Sequence, residues 1–268
     1  YEYGGNIVKM SKSSKDGECF YGLGDKATQM NLKGKRLENF ATDQYAYQKE
    51  QDPLYKVVPF YIGLHNKQSY GIFFDNTFRT FFDFCQERRN VSSFWAEGGE
   101  MNYYFIYGPQ MQDVVTTYTD LTGKPELPPL WVLGYHQCKW SYYPENKVKE
   151  ITSKFRELQI PCDAIYLDID YMEGYRCFTW NKKYFPDPQR MIKELSDDGF
   201  KTVVMIDPGI KVDDDYWVFK EGKDNKYFCR RSDDYFMEGH VWPGRCQFPD
   251  FLEGGICNHL GNPTNYQI

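Results

Sequence analysis

The first part of the chain alternates short apolar runs with polar turns. Residues 57–64 and 70–74 are aromatic and β-branched, and the polar segment 65–69 between them indicates a β-hairpin. Similar runs predict further strands at residues 19–24, 79–84 and 101–107. Short strands of this kind suit two packed antiparallel sheets, so we predict an N-terminal β-sandwich over residues 1–108.

The hydrophobic period changes near residue 109. One helical face is predicted from the spacing of Met111, Val114, Val115, Tyr118 and Leu121. The helix is then expected to end at the breakers Gly123, Pro125, Pro128 and Pro129. We therefore predict a linker helix and a proline-rich domain boundary over residues 109–130.

Strand and helix patterns alternate from Trp131 onward. Strands are predicted at residues 131–136, 164–169 and 202–206. One helix between them is marked by Val148, Ile151, Phe155 and Leu158, and the next by the start signal Asp187-Pro188 with Met191, Ile192 and Leu195. This order predicts a parallel sheet, and nearly continuous apolar strands indicate burial on both faces. The pattern fits a doubly wound sheet or a barrel, with an inserted loop or small subdomain from about residue 211.

Charge and composition exclude several classes of partner. Lys and Arg number 32 against 38 Asp and Glu, a formal net charge of −6, and no basic run occurs. Nucleic acid is therefore not an expected partner. No stretch approaches the ~20 apolar residues of a membrane span, so we expect no membrane partner either. The eight cysteines never form Cys-x-x-Cys, which argues against a zinc ribbon or a dense disulfide framework and favours reduced, structural thiols.

The proportion of aromatic residues is unusual at 18%, with 23 Tyr, 20 Phe and 6 Trp. Two interpretations are open. Aromatic side chains build β-sheet cores, and they also stack on the apolar faces of sugar rings.

Polar residues follow each predicted parallel strand. They are His136, Gln137 and Trp140 after the first strand, Asp168 and Asp170 after the second, and Asp207 after the third. Because side chains of a strand alternate between its faces, Asp168 and Asp170 are expected on one face, where repulsion would favour a proton on one of them unless a cation or ligand hydroxyls intervene. Such carboxylates also cap helices or hold loops, and a metal site with His136 is a weaker alternative. We predict neither a metal nor another cofactor.

Longer motifs resemble a known family. The run Ile-Pro-Cys-Asp-Ala-Ile-Tyr-Leu-Asp-Ile-Asp-Tyr-Met at residues 160–172 resembles the α-glucosidases of glycoside hydrolase family 31. Segments 178–180, 185–188, 207–210, 241–244 and 248–251 also resemble that family, and 21–25 and Pro59-Phe60 are similar to its N-terminal sandwich. The likeness covers residues 19–251 in one order. It implies a β-sandwich followed by α/β structure, namely a partial (β/α)8 TIM barrel over residues 131–268 with an inserted loop subdomain.

The resemblance also implies a substrate site for an α-glucoside oligosaccharide. Asp168 would accept a hydrogen bond from a hydroxyl of the sugar being cleaved. Ile169 and Ile210 would form an apolar wall and Trp242 an aromatic wall, while Asp43 would reach the aglycone side from the sandwich. A buried structural indole remains the alternative for Trp242, and a simple turn residue the alternative for Asp43.

The catalytic carboxylates of that family have no counterpart in these 268 residues. Retaining hydrolysis needs two carboxyl groups ~5 Å apart, but neither the Trp-x-Asp-Met-Asn-Glu-like nucleophile segment nor the acid/base segment is present. The resemblance therefore implies part of a retaining enzyme that hydrolyses α-linked glucosides from the non-reducing end, and without those segments we expect the chain to be inactive by itself. A noncatalytic glycan-binding fragment and an α-transglucosylase are the alternatives.

Two further expectations concern the end of the chain. The aromatic-rich helix implied after Phe251 is missing from the sequence 252–260, so the tail is expected to diverge from the family. About three of eight barrel strands are expected here. An unclosed barrel leaves an apolar edge strand open, so we expect the chain to fold poorly by itself.

Overall fold

A computed structural model describes residues 2–4 and 6–252 of the chain. The chain divides into two units, Tyr1–Glu126 and Leu127–Ile268, each with a hydrophobic core of its own. Apart from Leu252, the tail predicted to diverge lies outside the described residues.

The first unit is a sandwich of two antiparallel sheets. Within the described residues its strands are β1 (Glu2–Gly4), β2 (Ile7–Ser13), β3 (Cys19–Gly24), β4 (Arg36–Asn39), β5 (Val57–His65), β6 (Gln68–Phe74), β7 (Thr80–Phe84), β8 (Val91–Ala96) and β9 (Tyr103–Tyr107). One sheet has the order β1-β2-β8-β7-β4 and the other β3-β5-β6-β9. The predicted sandwich is thus confirmed, including the β5–β6 hairpin.

Aromatic side chains from both sheets form the core between them. Alternate residues of β7, such as Phe82 and Phe84, point inward and are fully buried. Phe84 stacks on Phe20 of the other sheet with ring centroids 4.6 Å apart. Tyr61 meets both Phe82 and Phe84 edge-on. Much of the aromatic excess therefore serves this core.

The glycines of β3 have a structural role. Gly22 has φ +132°, and a Cβ atom there would lie 2.5 Å from the carbonyl oxygen of Phe60 on β5. The β3–β5 register is irregular between Gly22 and Gly24. Close backbone approach and positive φ both require glycine, which explains the Gly-Leu-Gly motif.

Helix α1 (Met111–Thr122) covers the outer face of the four-stranded sheet. It buries Val114, and Tyr118 stacks on Phe60 with ring centroids 4.0 Å apart. The N–H of Gly123 bonds to the carbonyl of Thr119 at the end of the helix. The predicted helix is confirmed, but Val115 and Leu121 are exposed, so the buried stripe is narrower than the sequence spacing indicates.

The second unit contains a three-stranded parallel sheet and two helices that connect its strands. The sheet has the order β10 (His136–Gln137), β11 (Ala164–Leu167) and β12 (Lys201–Val204), joined by α2 (Glu145–Glu157) and α3 (Pro188–Asp197). Asp187 caps α3 by accepting from the N–H of Arg190, as its sequence predicts. In α2, Leu158 is the C-cap and is exposed.

Two expectations for this sheet are wrong. Residues 131–136 do not form a strand: after the extended Pro129, Leu130–Leu133 form a 3₁₀ turn, and pairing begins only at His136. Central strand β11 is buried as expected, but Val203 and Val204 of β12 are only half-buried. The reason is that β12 is the edge strand of the described sheet, with a neighbour on one side only.

The polar stretch after residue 209 forms a small separate sheet. Its elements are β13 (Ile210–Lys211), α4 (Trp217–Asp224), β14 (Glu238–Val241) and β15 (Gly244–Gln247), with the antiparallel strand order β13-β15-β14. The seven cysteines within the described residues are all free thiols. Among the described helices, none has the length and apolarity that a membrane crossing requires.

Candidate functional site

The carboxyl ends of the three parallel strands bring polar side chains together. Because β10, β11 and β12 run in the same direction, Cys138, Asp168 and Asp207 follow them at one edge of the sheet. Burial and the charge of Asp168 raise the pKa of Asp207, and the same two causes raise the pKa of the Cys138 thiol. Asp168 is therefore electrostatically coupled to the residues that follow both neighbouring strands.

Asp168 ends the central strand and begins a turn. Strand β11 stops at Leu167, and Asp168 is the N-cap of a 3₁₀ turn over Ile169–Tyr171. One carboxylate oxygen accepts from the N–H of Ile169 at 2.8 Å. The prediction that Asp168 and Asp170 share a strand face is therefore wrong, because a capping aspartate turns the chain before Asp170 is reached.

Asp170 has different partners. One of its carboxylate oxygens accepts from the indole Nε1 of Trp140 at 3.1 Å, and the other accepts from the hydroxyl of Tyr175 at 3.4 Å. Burial and the charge of Asp170 raise the pKa of Tyr175 above its ordinary value. Asp168 and Asp170 thus have different hydrogen-bond partners although they are two residues apart.

The predicted aromatic residue lies close to these groups. Trp242 stands between β14 and β15 and is 53% exposed, so it is not a buried structural indole. Its ring centroid is 5.3 Å from that of Trp140 and 6.2 Å from that of Tyr175. The sequence indicated Trp140 only as a residue after a strand, and nothing in the pattern indicated Tyr175.

The two predicted apolar residues are buried. Ile169, in the turn after Asp168, and Ile210, at the start of β13, both belong to the hydrophobic core of the second unit. Each is less than a tenth exposed, so each offers only a small apolar surface to a ligand.

Asp43 belongs to the first unit. It is exposed on the loop between β4 and β5. Burial and the charge of Asp43, which also accepts a hydrogen bond, raise the pKa of Tyr55. The loop aspartate therefore has a phenol partner within its own unit.

The weaker metal alternative has no donor set in the part of the chain described. No group of three or more His, Cys, Asp or Glu side chains is placed there to hold an ion. His136 uses both ring nitrogens locally: Nδ1 lies 3.0 Å from the hydroxyl of Tyr166 and Nε2 lies 3.1 Å from the carbonyl oxygen of Trp131. The site is accordingly made of carboxylates and aromatic rings, which are typical of sugar recognition.

Comparison with family descriptions decides the assignment. The glycosyl hydrolases family 31 TIM-barrel domain matches residues 125–259, and the glycosyl hydrolase 31 N-terminal galactose mutarotase-like domain matches residues 1–83. The chain belongs to glycosyl hydrolase family 31. The family resemblance inferred from the motifs is thereby confirmed, as is the order of sandwich and partial barrel.

Curated members of family 31 are similar over nearly the whole chain. Alpha-glucosidase 2 of Bacillus thermoamyloliquefaciens is 44% identical over 256 residues, which are 95% of this chain and 32% of that protein. Alpha-glucosidase of Saccharolobus solfataricus is 36% identical over 248 residues, which are 92% of this chain and 36% of that protein. The chain thus spans about a third of the length of these relatives.

Solved structures of family 31 enzymes have the same fold as this chain. The GH31 dextranase of Flavobacterium johnsoniae, complexed with glucose, superposes with a TM-score of 0.89 at 35% identity, covering 99% of this chain and 32% of that chain. A family 31 alpha-glucosidase from Bacteroides thetaiotaomicron superposes with a TM-score of 0.83 at 34% identity, covering 97% of this chain and 44% of that chain. Family 31 membership therefore rests on both sequence and fold.

Proposed function

We propose that this chain is part of a retaining α-glucosidase and forms a sugar-binding portion of its site. The observation that supports this proposal most strongly is the similarity to two alpha-glucosidases over more than nine-tenths of the chain. The cluster of carboxylates and exposed indoles at the strand ends supports it, because that chemistry suits a glucoside. The proposed substrate is an α-linked glucoside, attacked from the non-reducing end.

Asp168 is the proposed hydroxyl acceptor. A carboxylate offers about four lone-pair sites, so Asp168 can keep the N–H of Ile169 and still accept from a sugar hydroxyl. Burial and the charge of Asp168 raise the pKa of neighbouring Asp207, whose carboxyl group is a second polar group for the same sugar. Together the two groups would fix the orientation of a ring.

Apolar contacts complete the proposed site. Trp242 offers an exposed ring face for the C–H side of a pyranose, and Ile169 and Ile210 add small apolar surfaces. Asp43 is proposed to contact the aglycone side, and its exposure on a loop is consistent with that role. All five residues remain proposals for this chain.

The nucleophile and acid/base segments of the family have no counterpart in this sequence. Asp168 caps the turn, and both oxygens of Asp170 hold aromatic side chains. Asp168 is proposed to bind the sugar and Asp170 to hold the two rings, so neither is proposed as the nucleophile or acid of a retaining pair, whose carboxyl groups stand ~5 Å apart across the glycosidic bond. We expect this chain by itself to bind a glucoside without cleaving it.

Two measurements on the full chain test this proposal. Incubation with a chromogenic α-glucoside should give no turnover, and calorimetric titration with maltose should show binding that Asp168→Ala weakens at least about tenfold, the loss of one charged hydrogen bond. Asp214→Ala, which removes an exposed carboxylate with only a long ion pair to Lys223, is the matched control. Turnover at an enzymatic rate, or binding unchanged in Asp168→Ala, would contradict the proposal.

A noncatalytic glycan-binding role is the second candidate. The exposed pair Trp140 and Trp242 favours it, because stacking on sugars requires no catalytic carboxylate. Titration with maltose and with a longer α-glucan separates the two roles. A chain that serves one cleaved terminal residue should bind both with similar affinity, whereas a glycan-binding surface should prefer the longer chain.

A further inference from the structure

Asp170 joins two loops through one carboxylate. Trp140 follows β10, and Tyr175 follows the turn that contains Asp170, yet each donates a hydrogen bond to a different oxygen of this side chain. An indole N–H can only donate, and here it donates to a carboxylate oxygen of Asp170. A carboxylate supplies two acceptor oxygens without any donor of its own.

Both donors also contact the third ring. Trp140 lies 5.3 Å from Trp242 and Tyr175 lies 6.2 Å from it, measured between ring centroids, at interplanar angles of 57° and 52°. We call Trp140, Tyr175 and Trp242 the aromatic cradle. Its rings are tilted against one another rather than stacked.

Packing alone holds this cradle weakly. Trp140 is 62% exposed and Trp242 is 53% exposed, so neither ring is fixed by burial in the core. Exposed side chains lose rotamer freedom when a ligand orders them, and that loss weakens binding. The hydrogen bonds to Asp170 restrict two of the three rings before any ligand arrives.

We propose that Asp170 is a positioning residue that holds Trp140 and Tyr175 against Trp242, so that the cradle is preformed for a sugar ring. The sugar as ligand rests on the proposed function, whereas the ordering of the rings does not. Asp170 is expected to touch no sugar atom itself, because both of its oxygens already serve ring donors.

The ordering is tested without ligand, on the full chain labelled with ¹⁵N. The indole signal of Trp140 is assigned through its loss in Trp140→Phe. In Asp170→Ala that signal should shift and its N–H should exchange faster with solvent, about tenfold or more, because the acceptor is gone. Asp170→Asn should keep most of the protection, since an amide oxygen still accepts, and Asp214→Ala should change nothing.

Two results would overturn the ordering. One is an unchanged Trp140 signal in Asp170→Ala while the other indole signals show a folded chain. The other is equal loss of protection in Asp170→Ala and in the control Asp214→Ala, because the missing acceptor at Asp170 would then not be the cause. If Asp170→Ala does not fold, Tyr175→Phe is the alternative test. It keeps the ring but removes the hydroxyl donor, and it should loosen the aromatic cradle in the same way.

Maltose titration connects the ordering with binding. Asp170→Ala should raise the Kd about tenfold, and Asp170→Asn should stay within about threefold of the parent chain. Equal affinity in Asp170→Ala and the parent chain would overturn the preformed cradle. Absence of maltose binding in the parent chain would count against the proposed function instead, and the indole measurement would still decide whether Asp170 orders the rings.

Discussion

Carboxylate side chains of the two units differ in burial and in how many hydrogen bonds the protein gives them. In the sandwich, Glu18 is 3% exposed and accepts from Ser14, Tyr70 and Lys12. At the strand ends of the partial barrel, Asp168 and Asp207 are half-buried and close enough to interact electrostatically. A carboxylate whose oxygens are all satisfied by the protein stabilises the fold, whereas one left partly open can bind a ligand at a cost in stability.

Apolar residues follow the same division. Strand β7 of the sandwich buries Phe82 and Phe84 completely, because a second sheet covers its inner face. Edge strand β12 of the partial barrel is half-buried, and the next residues, Met205 and Ile206, are exposed. The apolar core of the sandwich is thus fully covered, whereas in the parallel sheet only the central strand β11 is.

The largest effect is expected inside the sandwich. Phe82→Ala should lower the free energy of unfolding by about 3–5 kcal/mol, since it removes a fully buried ring from between two sheets. Phe105→Ala on β9 is the matched control: that ring is 62% exposed, so its loss should cost less than about 1 kcal/mol. Urea unfolding followed by near-UV circular dichroism measures both. Similar losses for the two variants would show that the sandwich core is not closed.

In the partial barrel, one buried and one exposed isoleucine allow the same comparison of core and edge. Ile165 on β11 is fully buried, and Ile165→Ala should cost about 2–5 kcal/mol. Ile206, just past β12, is 46% exposed, so Ile206→Ala should cost less than about 1 kcal/mol. Hydrogen exchange of the β11 amides reports on this unit separately from the sandwich. A large loss in Ile206→Ala would mean that something covers the edge strand.

Glu18 makes the stability of the sandwich sensitive to acid. Burial alone would raise its pKa, but hydrogen bonds from Ser14, Tyr70 and Lys12 lower the pKa of Glu18 to about 2. The folded value thus lies below the unfolded value of about 4.3. The stabilisation is therefore present above the unfolded pKa and is lost as pH falls towards 2.

Replacement of Glu18 tests this directly. Glu18→Gln should lower the free energy of unfolding by about 2 kcal/mol at neutral pH, with allowance for solvent screening. The difference from the parent chain should shrink between about pH 4.5 and pH 2. Urea unfolding at a series of pH values measures the difference. A constant difference across that range would exclude titration of Glu18 as its cause.

Local signals in the sequence predicted much of the fold. The hairpin of β5 and β6 has two apolar runs around a polar turn, and α3 begins at its predicted cap Asp187. Strands β2 and β8 were missed because β2 contains two lysines and two serines, and β8 contains two adjacent serines that are both buried, so neither strand shows a long apolar run. Their pairing joins residues 78 to 88 positions apart, which no local window contains.

The site was less predictable than the fold. Roles for Asp168 and Trp242 came from the family resemblance, and the strand pattern placed Asp168 and Asp170 on one face incorrectly. The hydrogen bond from Trp140 to Asp170 spans 30 residues, and its acceptor lies on a turn that the apolar run does not reveal. Contacts between loops after different strands depend on the folded sheet, so the aromatic cradle needed the structure.

The smallest expected effect is a gain in stability at the open site. Burial and the charge of Asp168 raise the pKa of Asp207, so the folded state favours the protonated form. The contribution of Asp207 to stability is thus present below its unfolded pKa of about 3.9 and is lost as pH rises through the folded value.

Asp207→Asn puts an uncharged side chain at this position at every pH. The variant should therefore melt slightly above the parent chain at pH 7 but not at pH 3. Thermal unfolding at both pH values measures the difference. Because Glu18→Gln should show the opposite sign at neutral pH, destabilisation by both variants would contradict the contrast between a satisfied carboxylate and an open one.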